Sequence, residues 1–270
     1  MKIGVYLRNM GPHASRENLR ACARTADESP IDDLWVFDHL AIPPEDSEGS
    51  GGLYVEPLAT LAFVAGVTER IRIGTGVLVL PYRPALLTAK WAASIQLLAG
   101  NRLMLGVGVG WMAAEFRALG VPRTQRGALT DEALEILHRC FAADEVEVNG
   151  QRFLFLPRPQ RPSVFVGGSG AHAWRRAVHL ADGWMPGNVD AQALEGPMRE
   201  LRAVADEAGK PMPEVVVAGR IGSDEPRRAS ERLARLAELG VTRFAFNDRY
   251  SNADDFSRYA ERIARVVSEA

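Results

Sequence analysis

The chain has 270 residues, 47% apolar and 24% charged, the balance of a soluble globular protein large enough for one substantial core. A formal net charge of -2 speaks against a generic nucleic-acid binder, which needs a basic surface. No apolar run approaches the roughly 20 residues of a membrane helix. The two cysteines, Cys22 and Cys140, lie in helix-like segments and read as free thiols of a reducing compartment, which predicts a cytoplasmic protein.

The opening residues hold too short an apolar run for a secretory signal and predict a strand over Lys2–Leu7. A helix over Glu17–Glu28 follows, with Ser15 as its cap. A second strand, Leu34–Phe37, ends in Asp38-His39, and the polar, glycine-rich stretch Glu45–Gly52 is a loop. Pro57 suits a first helical position, and that helix should end before Arg70. Ile71–Leu80 and Leu103–Val109 are near-continuous apolar runs rich in small residues, as strands buried on both faces are. A helix over Pro84–Leu98 lies between them, stopped by Gly100. Trp111–Gly120 reads as a short turn or helix, and Gly127–Ala142 as a full helix. Asn149-Gly150 between two short strand-like pieces predicts a β-hairpin. Strands at Ser163–Val166, Gly183–Met185, Glu214–Ala218 and Arg243–Phe246 then alternate with helices at His172–Leu180, Asp190–Glu207, Glu225–Leu239 and Asp254–Val267.

Strand starts near residues 2, 34, 71, 103, 163, 183, 214 and 243 define a single (β/α)8 barrel over residues 1–270, a TIM barrel with a short β-hairpin inserted before its fifth strand. An open doubly wound sheet would need fewer strands or a second domain at this length. Chemistry is expected at the carboxyl ends of the strands.

There, Gly167-Gly168-Ser169-Gly170 leads from a buried strand into a helix. Converging backbone amides and a helix start make this an anion site, most simply for phosphate, or else a tight turn that binds nothing. It is neither a P-loop nor a Rossmann fingerprint. Gly74, Gly76, Gly106, Gly108 and Gly110 imply either close approach of a flat ligand or packing against large side chains inside the barrel. Trp111 would wall a planar ring or cover the mouth. His39 can hold or transfer a proton near neutral pH, with Asp38 orienting it or fixing a ligand's polar edge; a surface loop histidine is the other reading. His13 is a weaker candidate at the same mouth. Glu56 and Glu115 are acidic candidates that, taken singly, read as helix-start carboxylates or salt bridges. Arg126 can reach an anion, and Arg175 and Arg176 flank the glycine turn. His138, His172 and His179 form no metal-ligand pattern with nearby carboxylates, and no nucleophile elbow occurs, so a cofactor is expected to carry the chemistry.

These segments together resemble the luciferase-like, flavin- or deazaflavin-dependent oxidoreductases. The marks are Phe37-Asp-His39, Glu56-Pro57-Leu58, Arg70 to Pro81, Arg102 to Trp111 with Glu115-Phe116, Arg126-Gly127, Val166 to Ser169 and Ala181 to Pro186. The resemblance spans nearly the whole chain. It implies a homodimeric barrel that binds coenzyme F420 or FMN at its carboxyl face and acts on a small organic substrate, without nucleic-acid or membrane partners. It implies Asp38, Thr75, Gly76, Val77, Gly108 and Trp111 around the ring, with a bulge and often a non-prolyl cis peptide at Gly76-Val77. Gly167, Gly168, Ser169 and Gly170 would hold the phosphate, and His39 would be catalytic. The compact chain favours an F420-dependent oxidoreductase that passes hydride between the deazaflavin and its substrate. An FMN-dependent monooxygenase is the alternative, and a non-catalytic flavin-binding protein a third reading. Sugar-phosphate dehydrogenases of this group carry an acid where this chain has Trp111, which implies a more apolar substrate here, such as an alcohol, enone or aromatic compound.

Overall fold

The computed structural model describes residues 1–47, 49–222 and 225–269, so Glu48 of the predicted polar loop lies outside the described residues. Eight parallel strands close into a barrel: β1 (Lys2–Tyr6), β2 (Asp33–Val36), β3 (Arg72–Val79), β4 (Leu103–Gly108), β7 (Ser163–Gly167), β8 (Gly183–Asn188), β9 (Glu214–Gly219) and β10 (Arg243–Phe246). β1 pairs with both β2 and β10, which seals the ring. The predicted hairpin is β5 (Glu145–Val148) with β6 (Gln151–Leu154). Asn149 and Gly150 turn it at φ 52° and 75°, the left-handed pair that a tight hairpin turn needs.

The helices are α1 (Arg16–Glu28), α2 (Pro57–Ala65), α3 (Ala85–Leu98), α4 (Ala113–Ala118), α5 (Arg126–Ala142), α6 (Ala171–Leu180), α7 (Ala191–Glu207), α8 (Pro226–Glu238) and α9 (Ala253–Ser268). Side chains cap several starts: Ser15 accepts from the Asn18 amide, Glu56 from Ala59, Asp190 from Ala193 and Asn252 from Asp255. α2 starts at Pro57 and ends at Ala65, before Arg70 as predicted. Asp27 accepts the amides of Glu69, Arg70 and Ile71 and holds the bend that leads into β3.

Alternation along the strands builds two apolar layers. Val5, Leu34, Ile73, Leu105 and Val164 face the helices, whereas Tyr6, Trp35, Met104, Phe165 and Met185 fill the barrel. Trp35 is the largest of the latter and fully buried. A Cβ at Gly4 or Gly74 would lie 2.7 or 2.9 Å from its ring, so these glycines exist to admit Trp35. Gly106 is similarly forced, because a Cβ there would meet the Thr75 carbonyl at 2.1 Å. For Gly74 and Gly106, internal packing rather than ligand approach explains the missing side chain. β2 also begins one residue earlier than predicted, at Asp33, a charge tolerated in the buried strand because Arg243 binds it at 2.7 Å. Cys22 and Cys140 are free and buried. Among the described residues, no helix is long and apolar enough to cross a membrane.

Candidate active site

Three consecutive strand ends, those of β2, β3 and β4, meet on one side of the barrel mouth. The register of β3 on β4 slips between Thr75 and Leu78, and a cis peptide joins Gly76 to Val77 inside this bulge, at the position the resemblance implied. The Tyr6 hydroxyl donates to the Gly76 carbonyl at 3.1 Å, and the Tyr6 ring stacks on Phe37 at 4.5 Å. Burial pushes the Tyr6 phenol well up, so it remains a donor. Over this floor lies a cavity of about 300 Å³ bordered by Asp38, His39, Gly76, Val77, Gly108, Trp111, Gly167 and Gly168, among others. The glycines fit the protein as closely as they would a ligand: a Cβ at Gly108 would sit 2.7 Å from Val77, and one at Gly167 would sit 2.9 Å from it. They let the Val77 side chain stand up between the strands at the cavity wall.

The chain beyond β2 is clamped by Asn9, which is fully buried. Its Oδ1 accepts the Phe37 amide at 2.9 Å, and its Nδ2 donates to the Phe37 and Val55 carbonyls, both at 2.8 Å. Asp38 does not orient His39. Its carboxylate accepts two Arg83 bonds at 2.8 Å and the Val79 amide at 2.8 Å. Arg83 also donates to Glu56 at 2.7 Å, which makes an acid–base–acid cluster that is buried at Asp38 and half-exposed at Glu56. Burial opposes the Arg83 charge, but Asp38 and Glu56 outweigh it and strengthen its hold on its proton.

The partner of His39 is Glu115 on α4, whose Oε2 lies 2.9 Å from Nδ1. The same carboxylate accepts from Tyr82 Oη at 3.0 Å and from the Leu40 and Ala41 amides at 2.6 and 3.0 Å. Tyr54 and Trp111 flank the imidazole, with centroids 5.0 and 6.1 Å away, and Trp111 is 68% exposed at the rim.

Thr75 lies outside the cavity: it is fully buried and donates to the Gly106 carbonyl at 2.7 Å, tying β3 to β4 where the bulge begins. The resemblance had placed it at the ring. His13 borders a separate small crevice with Cys22 and Tyr250, and His138 is bonded to the Leu180 carbonyl.

Val109, Gly167 and Gly168 also border a second hollow of about 410 Å³, so the two spaces share a wall. Ser169, His172, Thr124, Arg126 and Arg176 line this groove. Gly168 and Gly170 hold φ 105° and 85°, open to glycine and disfavoured for other residues. Trp184 Nε1 donates to the Gly168 carbonyl at 2.7 Å and pins the turn to the barrel. Among the described residues no side chain caps α6, unlike α1, α2, α7 and α9, so its first amides remain available to an anion. Arg176 is paired with Asp131 at 2.6 Å, whereas among the described residues the Arg126 guanidinium bonds only a carbonyl, that of Arg123, at 3.1 Å. Among the described residues, no group of three or more His, Cys, Asp or Glu is placed to hold a metal ion.

The sequence reading missed Asn9, Arg83 and Tyr82. For the last two, the Pro81-Tyr82-Arg83-Pro84 run directly after a barrel strand was a usable signal.

The sequence and the barrel are both similar to those of known proteins. A protein of Mycobacterium tuberculosis with no assigned function is 32% identical over 239 residues, covering 82% of this chain and 81% of its own. An FMNH2-dependent dimethylsulfone monooxygenase of Pseudomonas putida is 28% identical over 231 residues, 75% of this chain and 63% of its own. The structure of an F420-dependent secondary alcohol dehydrogenase in complex with an F420-acetone adduct superposes with a TM-score of 0.78 at 16% identity, covering 98% of both chains. The family model described as luciferase-like monooxygenase matches residues 1–269, the entire barrel with its mouth, and the chain belongs to that enzyme family.

Proposed function

We propose that this protein is an FMN-dependent monooxygenase acting on a small, largely apolar organic substrate. The observation that carries this reading is the adjacency of the two spaces at the mouth. A cavity with His39 at its edge shares Val109, Gly167 and Gly168 with a groove where Arg126, Ser169 and the uncapped start of α6 can receive a phosphate. These residues fit FMN: the groove would take its phosphate and the cavity, over Gly76 and Val77, its ring. When bound and reduced, FMN supplies the two electrons with which dioxygen gives one atom to a substrate and leaves the other as water.

The protein's own part is positional. The Tyr6–Phe37 stack and Val77 shape an apolar wall that excludes water. His39 offers the reacting groups an imidazole that can accept or return a proton. Trp111 and Tyr54, which flank His39, make an aromatic surround for the substrate. The likeness in sequence to an FMNH2-dependent monooxygenase supports FMN, reversing the order of the two cofactors expected from sequence. The F420-dependent dehydrogenase is the second reading, favoured by the compact chain and by the same wording of β3 and β4. A second copy of the chain would dock on α3, where Leu87, Trp91 and Leu98 are exposed.

The test is reconstitution of the purified chain with FMN or F420, each reduced, followed by measurement of binding and oxygen uptake with a panel of apolar ketones, sulfones and aromatic compounds. FMN binding with substrate-dependent oxygen uptake is expected. Tight F420 binding with anaerobic hydride transfer and no oxygen uptake would replace this reading with the second.

A further inference from the structure

We infer that Glu115 is a positioning residue that fixes the tautomer of His39 and thereby decides which ring nitrogen serves the cavity. The inference rests on the reading of His39 as the proton-handling group. The Glu115 side chain is 1% exposed, and each of its oxygens has two hydrogen-bonding neighbours. Oε1 takes the Leu40 and Ala41 amides, and Oε2 takes Tyr82 Oη and the His39 ring. Burial pushes this carboxyl up, but the Ala41 and Leu40 amides and the His39 ring outweigh burial and hold it below the usual carboxylate range. Burial and the Glu115 charge together push the Tyr82 phenol up, so Tyr82 donates rather than accepts.

An ionised carboxylate can only accept. The nitrogen 2.9 Å from it therefore carries a hydrogen, and that nitrogen is Nδ1. A neutral imidazole protonated at Nδ1 has a bare Nε2. Among the described residues no protein group bonds Nε2, which leaves it as the polar atom His39 offers to the cavity it borders. Nε2 then takes a proton from a substrate or ligand O–H or N–H. That bond breaks as the Nε2–H bond forms, and the positive charge left on the ring lies against the Glu115 carboxylate. The reverse transfer returns the proton. His39, Tyr82 and Glu115 come from three successive strand-to-helix connections, so the carboxylate also sets where the ring stands in the mouth.

Glu115→Gln is the discriminating variant because it keeps the shape. Its Oε1 can still accept the Leu40 and Ala41 amides, but its NH2 then faces Nδ1, which must become the acceptor and shift the hydrogen to Nε2. The experiment is long-range proton–nitrogen NMR on the full chain labelled at histidine, with the His39 signals identified by their loss in His39→Gln. In the unsubstituted protein with the ring neutral, hydrogen on Nδ1 is expected. In Glu115→Gln it moves to Nε2, while Tyr82→Phe keeps it on Nδ1. Turnover of Glu115→Gln with reduced FMN falls about 100-fold through kcat, with KM little changed. Hydrogen on Nε2 in the unsubstituted protein, or an unmoved tautomer in Glu115→Gln, would overturn the inference. Full turnover in His39→Ala would instead overturn the reading of His39, with the tautomer result still standing.

Discussion

Asp38→Asn separates two roles for the residue next to His39. The aspartate side chain is fully buried, and Arg83 is about as enclosed, with a side-chain exposure of 10%. The substitution keeps the shape and one acceptor, so the Val79 amide stays satisfied. The new NH2, however, points at a guanidinium nitrogen 2.8 Å away. Removing one partner of a buried ion pair costs about 3–5 kcal/mol. Glu56 still neutralises Arg83 from the other side, at 2.7 Å and with an exposure of 36%, which places the expected loss near the lower end, about 3 kcal/mol. At about 2–4 °C per kcal/mol for a chain of this size, the midpoint of thermal unfolding should fall by roughly 6–12 °C. FMN affinity, measured by fluorescence quenching well below the new midpoint, should change less than about threefold, because both carboxylate oxygens are already occupied by protein donors. An unchanged midpoint together with a large loss of FMN affinity would refute this reasoning and return Asp38 to the ligand-facing role that the sequence suggested.

Arg126→Gln should weaken FMN about tenfold, the worth of one charge-assisted bond, and leave riboflavin affinity unaltered; equal weakening of both would remove Arg126 from the phosphate site. Trp91→Glu on the exposed face of α3 should turn a dimer into a monomer in sedimentation velocity, and a parent chain that is already monomeric at micromolar concentration would dispose of that docking face. Glu115, Asp27 and Asp182 all have folded-state carboxyls held below their ordinary values of 4.5, 3.8 and 3.8. Their stabilisation is therefore complete above those values and lost as pH falls through the lower folded ones. The thermal midpoint should fall below about pH 4.5, and Glu115→Gln should flatten part of that slope; an identical slope in the variant would show that Glu115 is not ionised in the fold.

The eight-stranded frame was legible because each strand of a closed parallel barrel is buried on both faces and so is written as an apolar run of its own. The hairpin was legible because Asn149-Gly150 carries its turn within two residues. What stayed hidden was pairing at a distance. His39 and Glu115 are 76 residues apart, and Asp38 and Arg83 45 apart, joined only because neighbouring connections crowd at one mouth. Local reading therefore gave His39 the nearest acid, Asp38, as its partner. The glycines of β3 and β4 misled in a similar way. Gly74 and Gly106 look like their neighbours at the mouth, and only the positions of Trp35 and the Thr75 carbonyl distinguish packing from access. Thr75 was assigned to the ring by its place in a motif, although alternation along β3 sends its hydroxyl to Gly106. Asp33 escaped because a charge inside a strand is admitted only by Arg243, far along the chain.

The seam between β1 and β10 has a consequence for how the molecule comes into being. Lys2 aligns with Arg243 and Val5 with Phe246, so the ring is shut by partners about 240 positions apart. During synthesis the earliest strand must wait, one edge unpaired, until nearly all the chain has emerged. For that interval the nascent protein is an open, sticky ribbon, and escape from aggregation depends on how quickly its final strand arrives.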